Sequence, residues 1–94
     1  SVLRERVVAK INEVLHRQLD AIGFVSADIE EDEDHDGEPI LRIAIHYAKV
    51  GPEVDPTPTF SLARHIKDAI RPLGEDRFPH FRHLFPDDQD LKVA

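Results

Sequence analysis

Residues 39–48 read Pro-Ile-Leu-Arg-Ile-Ala-Ile-His-Tyr-Ala, and their alternation decides the fold. Leu41, Ile43, Ile45 and Tyr47 fall on one side, with Arg42 and His46 on the other. A period of two with one apolar face predicts a half-buried strand. Residues 24–31 repeat the pattern: Val25, Ala27 and Ile29 point one way, Ser26, Asp28 and Glu30 the other. Between the runs lies Glu-Asp-Glu-Asp-His-Asp-Gly-Glu (31–38), where Asp36-Gly37 supplies turn chemistry. Together they predict a β-hairpin with an acidic tip over 30–38.

Upstream of the hairpin, residues 2–21 predict an amphipathic helix. Leu3, Val7, Ile11, Val14, Leu15 and Ile22 keep the spacing of one helical face, and Gly23 sits where a left-handed cap is expected. Downstream, Gly51, Pro52, Pro56 and Pro58 make a stiff connection. Thr57 followed by Pro58 suits a helix start, and Leu62, Ile66, Ala69, Ile70 and Leu73 form a second stripe. Pro72 and Gly74 stop it near Arg71. Residues 76–85 hold Phe78, Phe81 and Phe85, three of the five Phe, and suit a third strand at a sheet edge, where Pro79 is tolerable. Residues 87–94 read as a flexible polar tail.

The expected fold is α+β, a two-layer sandwich of two helices on a small antiparallel sheet, in the order α-β-β-α with room for a third strand; if the last segment is that strand, the second helix becomes a right-handed crossover in a mixed sheet. Ninety-four residues make one domain with a thin core, burying roughly 60–65% of the unfolded surface. Two strands alone are marginal, so a third strand or a second copy of the chain is expected. The dimer would form by edge pairing or across the open sheet face.

The element order is similar to that of the N-terminal domain of the bacterial ribosome maturation factor. Ile22-Gly23-Phe24 and Leu41-Arg42-Ile43-Ala44-Ile45 sit in comparable places, over roughly residues 10–71. The resemblance rests on element order and common apolar residues. Type II KH domains also begin this way, but their Gly-x-x-Gly clamp has no counterpart among glycines 23, 37, 51 and 74.

The net charge of -7 is unevenly spread. Residues 28–38 carry eight of the 19 acidic residues and no Lys or Arg, which leaves the rest of the chain at +1. Concentrated charge steers association and selects partners. The leading expectation is therefore a small non-catalytic interaction or regulatory module, antitoxin-like or adaptor-like, that docks on a protein with a basic surface. Asp32, Glu33, Asp34, Asp36 and Glu38 would steer the encounter, and Phe78, Phe81 and Phe85 would anchor it. A second expectation is an RNA- or ribosome-associated factor using Arg64, Lys67 and Arg71, which lie on consecutive turns of the second helix.

Metal and enzyme chemistry have less behind them. Asp32-x-Asp34-x-Asp36-Gly37 begins as calcium loops begin, but the twelfth position of such a loop is Ile43 rather than a bidentate Glu. Asp32, Asp34 and Asp36 are the candidate ligands for a weak cation. His80-x-x-His83 would diverge on a strand, and His46 and His65 lack a third group of suitable spacing. There is no Cys, which removes disulfides and thiolate ligands, and no Gly-x-Ser-x-Gly, phosphate-cradling loop or His-Glu-x-x-His. No cofactor and no catalytic residue is expected. No apolar run is long enough to span a membrane and no segment reads as a secretory signal, so a cytoplasmic location is expected.

Overall fold

A computed structural model describes residues 5–48 and 61–86 of the chain. Among these residues are two helices and a three-stranded sheet, an α+β fold: α1 (Glu5–Leu19), β1 (Phe24–Glu33), β2 (Pro39–Tyr47), α2 (Leu62–Ile70) and β3 (Phe78–Leu84). Short 3-10 turns, Asp20–Ile22 and Arg71–Leu73, extend the two helices. The Thr57-Pro58 helix start, the proline-rich connection and the 87–94 tail lie outside the described residues. No helix among the described residues is long and apolar enough to cross a membrane.

The strand order is β1-β2-β3. β1 and β2 pair antiparallel as the hairpin, but β3 runs parallel to β2, from Ile40 beside Phe78 to His46 beside Leu84. The sheet is therefore mixed, not antiparallel, and the order is α-β-β-α-β. The reason lies in α2. A parallel neighbour needs a crossover long enough to carry the chain back along the sheet, and the segment containing α2 is that crossover.

Both helices cover one sheet face. α1 contributes Val7, Ile11, Val14, Leu15 and Leu19, and α2 contributes Leu62, Ile66 and Ile70. They pack on Leu41, Ile43, Ile45 and Tyr47 of the central strand, with Ala27, Ile29 and Phe81 at its flanks. The spacing of three and four residues in the helices, and of two in β2, is what lines these side chains up.

One register detail corrects the expected pattern of β1. Phe24 pairs with Tyr47 but Ser26 pairs with His46, so Val25 is an extra residue in a bulge. The bulge turns the Phe24 ring into the core and leaves Val25 55% exposed. Phe24 then meets the His16 ring edge-on, with centroids 4.7 Å apart. Gly23 makes this entry by taking φ +94°, a conformation that other residues rarely adopt.

The hairpin closes through the three-residue loop His35-Asp36-Gly37. Gly37 N donates to Asp34 O at 2.9 Å and Asp34 N to Glu38 O at 3.0 Å, with Gly37 at φ +83°. Three-residue hairpins characteristically place such a left-handed glycine last.

Candidate functional site

Part of the acidic segment 28–38 is paired within the protein. Asp34 Oδ1 accepts from the backbone N–H of Asp36 and of Glu38, both at 2.9 Å, which fixes the loop. Asp32 is held by Arg42 on the open sheet face, and this hydrogen bond keeps the Asp32 carboxyl below its usual range. Asp28 Oδ2 lies 3.0 Å from His46 Nε2. Glu31 faces the helix side and meets Arg77 at 2.7 Å, and Arg77 also reaches Glu75 at 3.2 Å. Glu75 is the buried charged residue among the described residues, 8% exposed. These pairs join sheet residues far apart in sequence, so the segment 28–38 is less of a bare charge than its composition suggests.

Asp32, Asp34 and Asp36 do not converge. Asp32 turns to Arg42, Asp34 turns to the loop backbone, and Asp36 lies 3.7 Å from His35. Among the described residues no group of three or more His, Asp or Glu has the placement to hold a metal ion.

The three phenylalanines of the last strand also separate. Phe81 packs against the core, and Phe85 stacks on Tyr47 with centroids 4.4 Å apart and planes 11° apart. Phe78 alone of the three turns outward, 48% exposed. Alternation is the cause: Pro79, Phe81 and His83 share the helix-facing parity, and Phe78 does not. His80 and His83 diverge for their spacing, with His80 exposed and His83 reaching Tyr47.

Where the structure does bring side chains together is beside Phe78. Arg64 and Lys67 of α2, and Arg71 at the start of the 3-10 turn that follows it, lie away from the stripe Leu62, Ile66 and Ile70. With Phe78, Ser61, Ala63 and Asp68 they line a groove of about 520 Å³ between α2 and the start of β3. The Lys67 ammonium sits over the Phe78 ring, 4.8 Å from its centroid. Among the described residues the one acid in the groove, Asp68, lies 3.8 Å from Arg71, an exposed contact worth little. The groove is therefore cationic, with an aromatic wall.

On the other side of Phe78 is a second depression of about 440 Å³, lined by Asp34, Glu38, Asp76 and His80 among others. The parallel register causes this neighbourhood, because it puts Phe78 beside Ile40, at the hairpin end of the sheet. A third hollow, on the open face, mixes Asp28 and Glu30 with Arg42 and Arg82, so its charges largely offset one another.

Sequence spacing located the three cations but not their aromatic partner. The missing signal was the parity of Phe78 against Pro79, which alone announces an outward ring. Compared with protein-family models, with curated proteins and with solved structures, the chain matches none.

Proposed function

We propose that the chain is a non-catalytic binding module that holds a strand of RNA in the groove between α2 and β3. The observation that carries this reading is the convergence of Arg64, Lys67 and Arg71 with the exposed Phe78 ring. Cations along a groove neutralise phosphates, and an exposed aromatic ring offers a face on which a base can stack. Of the acids, Asp34, Glu38 and Asp76 line a separate hollow across Phe78, and several of the other acids of 28–38 are paired within the protein. The test is fluorescence anisotropy of a labelled single-stranded RNA at low salt. Binding should be lost when Arg64, Lys67 and Arg71 are all replaced by Ala. Unchanged binding in that variant, or none in the native chain, rejects the reading.

A second reading keeps the acidic hairpin as the docking element for a protein with a basic surface. It is supported by the depression in which Asp34 and Glu38 stand beside Phe78, an acidic rim next to an apolar anchor. Its test replaces Asp32, Glu33, Asp34, Asp36 and Glu38 by their amides and compares the proteins captured from native lysate. A partner that persists at equal yield removes this reading.

A further inference from the structure

The Phe78 ring is a boundary between two oppositely charged hollows. On one side stand Arg64, Lys67 and Arg71, and on the other Asp34 and Glu38, while Asp76 borders both the acidic hollow and a small cleft that it shares with Lys67 and Arg71. We propose that this surface is self-complementary and docks a second copy of the chain in a two-fold dimer centred on Phe78.

The argument is geometric and electrostatic. A two-fold interface uses the same patch on both copies, so the patch must complement itself. A surface of one sign cannot do so. A surface with a cationic hollow and an acidic hollow on either side of an apolar ridge can, because a two-fold beside the ridge sets each groove against the other copy's acids. The groove carries three cations and one acid, Asp68, a net of two positive charges, and the hollow carries the carboxylates of Asp34, Glu38 and Asp76. Arg77 also borders the acidic hollow, but its guanidinium is held by Glu31 and Glu75. Phe78 would bury its exposed half at the centre, where aromatic anchors contribute most. The charged rims would set orientation and encounter rate.

The sheet edge argues for the same mode of contact. β3 is an edge strand, and Pro79 lies within it. Proline has no N–H to donate to an added strand, so extension of the sheet along β3 is disfavoured. A partner arriving here is met by side chains, not by backbone pairing. The proposed dimer also covers the cationic groove, so a phosphate-bearing strand and a second copy compete for it.

Charge exchange tests the proposal without any nucleic acid present. Sedimentation equilibrium is run on the native chain, on Lys67→Glu and on Glu38→Lys, with circular dichroism to establish that each variant is folded. The native chain should dimerise, and rising salt should weaken the dimer. Each single variant sets like charges together at both symmetry-related contacts and should weaken association at least about tenfold. An equimolar mixture of the two variants should restore it. In the mixed dimer the two introduced charges, opposite in sign, would face each other at one contact, and the native pair would meet at the other. A native chain that stays monomeric at about 1 mM overturns the proposal. So do single variants that dimerise like the native chain, or folded variants whose mixture stays monomeric. Because Glu38 lies outside the α2 groove, RNA binding by Glu38→Lys reports on the groove separately from the dimer.

Discussion

The Tyr47 hydroxyl lies 2.7 Å from Nδ1 of His83, 36 residues further along the chain. Burial holds the phenol in its neutral form, with its pKa pushed up to about 12, and lowers that of the imidazole. Near neutral pH the hydroxyl therefore donates and Nδ1 accepts, which places the ring proton on Nε2. The bond ties the end of the central strand to the edge strand β3, and Phe85 stacks on the same tyrosine. Replacing Tyr47 by Phe keeps the ring but leaves Nδ1 without this donor, at a cost of about 1 kcal/mol. Urea titration of the two proteins measures it, and equal midpoints would show the bond to be idle.

The burial of His83 makes stability depend on pH in a definite direction. An unfolded histidine titrates near about 6.5, and the folded His83 titrates below that. Between the two values the unfolded chain binds the proton more strongly, so acid favours unfolding. The contribution of His83 is complete above the unfolded value and is lost as pH falls through the folded one. Urea midpoints of the native chain should drop between about pH 7.5 and about pH 5, and His83→Phe should show a smaller drop. A His83→Phe profile as steep as the native one would assign the pH dependence to other groups.

The Arg77 network should matter more than any ion pair on the open face. Arg77 is mostly covered and bonded to both Glu31 and Glu75, and its loss leaves the buried Glu75 carboxylate with less compensation. Arg77→Met should destabilise the fold by about 1–3 kcal/mol. Arg42→Met removes a pair whose partners are about half exposed, and should cost much less. Chemical denaturation of both variants decides the order, and a larger loss for Arg42 would contradict this account.

The tip offers a comparison of its acids. Asp34 accepts two backbone N–H bonds, whereas Asp36 lies exposed beside His35. Asp34→Ala should cost about 1 kcal/mol through the loop, and Asp36→Ala almost nothing. In a calcium loop both would be ligands and both losses would appear only with calcium present. Thermal melts of the two variants with calcium and with a chelator separate these cases.

The fold was legible where side-chain period alone sets burial. The stripes of α1 and α2 and the alternation of β2 depend on spacing, and the same residues form the core. An edge strand within residues 76–85 was legible too, from its Pro and its phenylalanines, and its parallel direction followed once α2 was read as a crossover. What sequence did not reveal required a partner from elsewhere in the chain. Val25 continues an unbroken alternation, but the larger Phe24 ring takes the core position once a bulge breaks the register. The acids of 28–38 look unopposed because Arg42, His46 and Arg77 lie on other segments and meet them only in the sheet. Phe78, Phe81 and Phe85 look alike as letters, and only the direction of each side chain separates an exposed ring from two packed ones.

The two kinds of side chain in the α2 groove should leave different marks on RNA affinity. Lys67 would act through charge, by releasing a counterion from a phosphate. With three cations engaged, the logarithm of affinity should fall against the logarithm of salt with a slope of about −2 for a single strand. Lys67→Gln should flatten that slope by about 0.7. Phe78 would act through stacking, which releases no counterion. Phe78→Leu should weaken binding by about 1–3 kcal/mol while the slope stays as steep. Anisotropy titrations over a range of salt give both quantities for each variant. If Phe78→Leu flattens the slope as Lys67→Gln does, the ring is only holding the lysine in place under its 4.8 Å contact, and no base stacks on it.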